Sequence, residues 1–190
     1  MSPHWPAQAR AAEADLFDDT LACDALLPAA FLAVPGAGQP VQAEALLRGL
    51  AQVEDLRGEE AGEEKRGELP QLAQRMDAKL DLVLALLGRL VRQSAEPTPL
   101  AALRWSARGL RLALDPGPDP APGAAGIVRL QPSDWLPDAL ELPVVVAASA
   151  AVDGHCLLWL RFRPLPPGLE DALERHLFRM HRREVAARRR

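Results

Sequence analysis

The chain has 190 residues, 48% hydrophobic and 25% charged. That is enough apolar side chain for one domain with a real core, and it excludes global disorder. The net charge of −4 weighs against a dedicated nucleic-acid binder, which would carry a basic balance. No apolar run reaches the ~20 residues needed to span a bilayer, and the start Met1-Ser2-Pro3-His4-Trp5-Pro6 has no basic-then-apolar leader pattern; the expected compartment is the cytoplasm.

From Ala9 to Asp19 the chain is Ala-rich and acidic, a loose or helical lead-in. Thr20–Val34 is apolar, interrupted by Pro28 and closed by Pro35-Gly36-Ala37-Gly38, which suits a strand and a connector. A helix is expected from Pro40, with Leu46, Leu47, Leu50, Val53 and Leu56 at three- and four-residue spacing and Gly58 placed to stop it. Residues 58–68, with three glycines and mostly charged side chains, form a solvated link.

Residues 69–93 carry the strongest periodicity. Leu69, Met76, Val83 and Leu90 fall at heptad a and Leu72, Lys79, Leu86 and Gln93 at d, while Leu80 and Leu87 at e widen the stripe. A helix this apolar needs a cover. Either it is buried along its own domain's core, or it self-associates as a coiled coil of more than two strands, with Lys79 as a seam defect or a register device.

After Pro97-Thr98-Pro99 the pattern changes to short strands with Gly/Pro turns. Leu100–Trp105 and Leu110–Leu114 flank Ser106-Ala107-Arg108-Gly109; Gly126–Gln131 is a third strand. Leu140–Val152 and His155–Leu165 flank Asp153-Gly154, a hairpin signal because Asp-Gly accepts positive φ angles. Leu169 to about Arg188 is a closing helix whose basic end complements its dipole. The outline is an α+β chain: a small antiparallel barrel interrupted at 39–95 by two long helices, with its main part at 97–190, all in a single domain 1–190.

Little in the chain suggests catalysis. His4, His155, His176 and His181 have no metal-ligand spacing, and no Gly-x-Ser-x-Gly elbow or phosphate-binding Gly-rich loop occurs. Cys23 and Cys156 form no Cys-x-x-Cys pair, so two buried thiols are expected. No catalytic residue, cofactor or metal site is assigned.

The segment Arg104-Trp105-Ser106-Ala107-Arg108-Gly109-Leu110-Arg111-Leu112 resembles the signature of PilZ domains, bacterial receptors for cyclic di-GMP, in which Asp/Asn-x-Ser-x-x-Gly joins two barrel strands. The elements that follow, including Leu-Trp-Leu-Arg-Phe at 158–162 and a C-terminal helix with a basic end, resemble PilZ in order. The layout across nearly the whole chain is similar to that of the atypical, tetrameric PilZ proteins, which insert long helices after the first strand. The resemblance implies a parallel four-stranded coiled coil, with Leu69, Leu72, Met76, Leu80, Val83, Leu86, Leu87 and Leu90 as the assembly surface. It also implies a role in a cyclic di-GMP pathway governing motility, surface behaviour or virulence.

The departures bear on the ligand. Typical members carry Arg-x-x-x-Arg upstream of the Ser-x-x-Gly segment; nothing between Pro97 and Leu103 supplies it, and Arg104 stands where the family has Asp/Asn. Arg104 and Arg108 have the spacing but lie inside the turn motif. One reading makes Arg104, Arg108 and Arg111 exposed strand and turn residues, Ser106 a local backbone partner and Gly109 a positive-φ position. The other makes Arg104, Ser106, Arg108 and Gly109 an alternative site for cyclic di-GMP. Lacking the anchoring arginines, the chain is expected to bind the nucleotide weakly or not at all; the sequence leaves open whether it reads the nucleotide itself or works through a protein partner, the alternative being an oligomeric adaptor that has lost the ligand.

Overall fold

Why the apolar stretches become strands is clearest in β6, where Leu158 and Leu160 alternate with Trp159, putting large side chains on both sides of one strand. The computed structural model describes residues 5–34, 36–60, 76, 80, 98–114, 120–133, 136, 138–152 and 154–188, and of 55–60 the backbone alone. Among the described residues the elements run α1 (Ala7–Phe17), β1 (Ala22–Leu32), α2 (Pro40–Glu60), β2 (Leu100–Ser106), β3 (Gly109–Leu114), β4 (Ala125–Leu130), β5 (Leu140–Val152), β6 (His155–Phe162) and α3 (Pro167–Arg188).

The six strands close into an antiparallel barrel in the order β1-β2-β3-β6-β5-β4. Closure falls to β1, whose first half pairs with β2 (Ala22↔Ser106 to Pro28↔Leu100) and whose second half pairs with β4 (Ala29↔Leu130 to Leu32↔Ile127). Pro28 stands at the switch between the two partners, where a residue without an N–H is tolerated. The hairpin between β5 and β6 is present as expected, with Val152 paired to His155 and Gly154 at φ 84°; Asp153 lies outside the described residues.

The barrel interior holds Leu103, Trp105, Leu110, Leu112, Val128, Leu142, Val144, Leu158 and Leu160, all buried, and α3 covers it with Leu169, Leu173 and Leu177. α2 lies against α3 through Ala43, Leu47 and Leu50. Glu54 of α2 receives Arg179 at 3.2 Å and also pairs with Arg183, so part of the basic end of α3 is used to hold α2.

Two expectations change. Helix α2 runs through Gly58 to Glu60; a lone glycine weakens a helix by roughly 1 kcal/mol without ending it. Cys23 is buried, its thiol donating to the Leu177 carbonyl and its pKa raised by burial and then by Glu184 and Asp24, whereas Cys156 is only half-buried. Of the heptad residues, Met76 and Leu80 are helical and each is 56% exposed in the single chain. Leu69, Leu72, Val83, Leu86, Leu87 and Leu90 lie outside the described residues.

Candidate functional site

The β2–β3 turn brings Arg104, Ser106, Arg108 and Gly109 together, and their common neighbour is α1. The Ser106 hydroxyl, fully buried, donates to the Leu16 carbonyl at 2.7 Å, lies 3.3 Å from the Gly109 carbonyl and accepts the Arg108 backbone N–H at 3.1 Å. The Arg108 guanidinium donates to the Asp15 and Asp18 carbonyls at 2.9 and 3.1 Å. Those carbonyls belong to the C-terminal end of α1, where a cation meets both unpaired acceptors and the negative end of the dipole.

Gly109 corrects the expectation of a left-handed backbone: it is not among the described positive-φ residues. Its need for glycine is one of space. A Cβ there would land on the Leu160 carbonyl of β6 and within 3.0 Å of the Leu16 side chain. The glycine thus lets β3 lie close against the β6 backbone, with the Leu16 side chain of α1 packed beside it.

Strand register extends the site. Arg104 pairs with Arg111, Arg111 with Trp159, and Trp159 with Ala148, so one row crosses β2, β3, β6 and β5. Over that row sits Glu13, 19% exposed, which accepts Arg111 at 2.7 Å and the Trp159 indole N–H at 2.7 Å, with Arg104 at 3.8 Å. Further along β6, Arg161 donates to the Asp15 carboxylate at 2.6 and 3.0 Å. That pair is more than half exposed on both sides, so water and salt weaken it. Aromatic rings complete the face: Arg104 lies over Phe17 at 5.2 Å, Arg111 over Trp5 at 5.1 Å, and Trp5 meets Trp159 edge-on at 5.2 Å.

The first of the two readings of the arginines is therefore altered. Arg104, Arg108 and Arg111 are not idle surface cations, and Ser106 bonds beyond its local backbone. They form an anion-accepting face, and α1 supplies its anions. Sequence reasoning missed Glu13, Asp15, Trp159 and Arg161. The available signal was Ala9, Ala12 and Leu16 at helical spacing, with two acids on a segment read only as a lead-in.

Two further features lie near the turn. His176 of α3 is 1% exposed, 5.5 Å from the Trp105 ring, with no hydrogen-bond partner on either nitrogen among the described residues. Burial, then the Arg179 and Arg183 charges, push its pKa down to about 4, so it is neutral at pH 7. Between the turn and α3 runs a groove of about 600 Å³, lined by Leu21, Ala107, Leu177 and Phe178 with Arg175 and Glu174 at its sides. Phe178 is 55% exposed.

Residues 47–190 match the model of the atypical PilZ domain, described as a cyclic di-GMP receptor. The chain belongs to the atypical PilZ family. A crystal structure of a pathogenic protein from Xanthomonas campestris, reported as a new tetrameric PilZ domain self-assembled via an unusual helical bundle, is 56% identical; the match covers 96% of this chain and 99% of that one with a TM-score of 0.79. Weaker likenesses are to the Bacillus subtilis inhibitor of motility MotI/DgrA (17% identity, 44% of this chain and 42% of that one, TM-score 0.38) and to the PilZ domain of Escherichia coli YcgR with c-di-GMP (19% identity, 47% and 80%, TM-score 0.37). No curated protein sequence matches the chain. The PilZ-type barrel and its closing helix are as the turn motif and strand order implied. No described helix is long and apolar enough to cross a membrane.

Proposed function

We propose that this atypical PilZ protein is a non-enzymatic signalling component of a bacterial cyclic di-GMP pathway in the cytoplasm, self-assembled as a tetramer through its heptad helix, and that it binds the nucleotide weakly or not at all in its resting form. The observation that carries the weak-binding reading is the engagement of Arg104, Arg108, Arg111 and Arg161 by Glu13, Asp15 and two backbone carbonyls of α1. An incoming phosphate must first displace the acceptors of α1 that these guanidinium groups already hold. Calorimetric titration of the purified protein with cyclic di-GMP, at low and moderate salt, tests this. No heat up to high protein concentration is expected; micromolar binding lost on Arg104→Ala plus Arg108→Ala would make the chain a direct receptor instead.

The tetramer reading rests on the heptad stripe of residues 69–93 and on the tetrameric assembly of the Xanthomonas campestris protein. Val83→Asp or Leu87→Asp should lower the solution mass to that of a smaller species, since a charge in a closed apolar seam is desolvated without a partner. A variant that keeps its parent's mass would remove the coiled coil from the account.

A second reading, an oligomeric adaptor that has lost the ligand and acts only through a protein partner, is favoured by the groove beside the turn and the exposed Phe178 on its wall. Titration and assembly results would be the same for both readings up to the pathway itself, where loss of the nucleotide signal in cells would abolish the first role and spare the second.

A further inference from the structure

Four guanidinium groups converge on one short helix that offers them two carboxylates. Arg104, Arg111 and Arg161 lie on the outer barrel face and Arg108 on the β2–β3 turn; Glu13 and Asp15 are the carboxylates that meet this set. The guanidinium fork that fits a carboxylate fits a phosphate equally well, because both present paired oxygens in a plane. Glu13 and Asp15 each bring one charge, and Asp24 stands opposite Arg104 on β1 as a third; an anion carrying more charge on one group competes for the same guanidinium donors.

Helix α1 is poorly equipped to stand without that face. It has 11 residues, Pro6 at its N-cap makes no side-chain cap, and no acid lies in its first turn; isolated helices of this length are marginal in water. Its apolar footing is one small cluster, Ala9, Ala12, Leu16 and Phe17 with Ala148, Ala150 and Trp159 of the barrel. The acids, the carbonyl-bound Arg108 and the Ser106 bond to the Leu16 carbonyl help fix its position along the barrel.

We infer that Glu13 and Asp15 act as a built-in substitute ligand, and that the arginine face beneath them is a latent phosphate or phosphodiester site that α1 keeps closed. This rests on the reading that the resting chain binds cyclic di-GMP weakly, and it goes on to say what holds that affinity down. Release of α1 opens the site; rebinding of its two carboxylates shuts it. Trp5 and Trp159 flank the latch and report on it, because their edge-on contact exists only while α1 is seated.

The test is the double variant Glu13→Gln, Asp15→Asn, which keeps side-chain size and removes both charges. Pyrophosphate and cyclic di-GMP are titrated calorimetrically into the variant and the parent at low salt. At least tenfold tighter binding of one probe by the variant is expected, weakening as salt rises and abolished by adding Arg111→Ala. Gain for pyrophosphate alone supports a site for free phosphate anions; gain for the cyclic dinucleotide as well supports a phosphodiester site. A variant with the parent's circular dichroism that binds neither probe better than the parent overturns the inference. Micromolar binding by the parent would sink the weak-affinity reading alone, since the gain on neutralisation is measured separately. Should the variant fail to fold, acrylamide quenching of the parent chain decides, with Trp5→Phe to isolate the Trp5 signal. Greater Trp5 quenching in pyrophosphate than in chloride of equal ionic strength supports displacement of α1, and equal quenching overturns it.

Discussion

The barrel has two apolar cores, and they are built on different principles. The inner one is filled by large side chains, Trp105 and a set of leucines, closed by α3. The outer one, between α1 and strands β5 and β6, is made of alanines around Trp159 and rimmed by arginines and acids. The inner core gains most from area and close packing, roughly 25 cal/mol per Å² buried. The outer core buries less per residue and relies on directional, charge-assisted bonds, which are geometry-sensitive and respond to salt and competing anions. A protein built this way can hold its barrel constant while one helix is free to respond.

The largest effect should come from the inner core. Leu160→Ala, at a fully buried position, should cost about 2–5 kcal/mol in denaturant unfolding, with all probes moving together. If α1 were lost first, the two regions would unfold separately, with the barrel the more stable of the two.

Next comes His176. Its pKa is lowered to about 4 in the folded chain against roughly 6.5 unfolded, so folding favours the neutral ring. The contribution is fully present above pH 6.5 and is lost as pH falls from there toward 4, on the order of 3 kcal/mol in all. A denaturation series across that window, beside His176→Leu, should show the parent's extra slope disappear in the variant; parallel pH profiles would mean that the ring is protonated without penalty.

Ser106→Ala should cost about 1–3 kcal/mol, the range for leaving a buried partner such as the Leu16 carbonyl unpaired. The loss should be local: amide exchange in residues 9–17 quickens while β3 and β6 keep their protection. Uniform loss of protection would fuse the two cores into one cooperative unit. The smallest effect is Arg161→Ala, about 0–1 kcal/mol and reduced by salt, because the Asp15 pair is exposed.

Much of the barrel was legible because its strands alternate and its turns carry Gly and Pro at the required places. β6 reads in and out by twos, and Gly154 marks its hairpin. β5 was harder to orient. Its run from Val144 to Val152 is small and apolar on both faces, and a register shift between Val146 and Ala148 turns later residues from the interior to the α1 side. Nothing in a uniformly apolar strand announces such a bulge. The candidate site was half legible: Ser106 and Gly109 were singled out by spacing, but the Leu16 partner lies about 90 residues earlier, on a segment read only as a loose or helical lead-in.

The sequence by itself determined the strand pattern, the heptad stripe, the turn motif and the missing upstream arginines, since each is a matter of residue type at local spacing. Only the tertiary structure decided where the arginines point. Charges separated along the chain become one site when antiparallel register lines up Arg104, Arg111 and Trp159 in a row, and α1 packs over β5 and β6 so that Glu13 reaches that row. Local spacing constrains a strand's faces; which helix covers a face is settled by long-range packing.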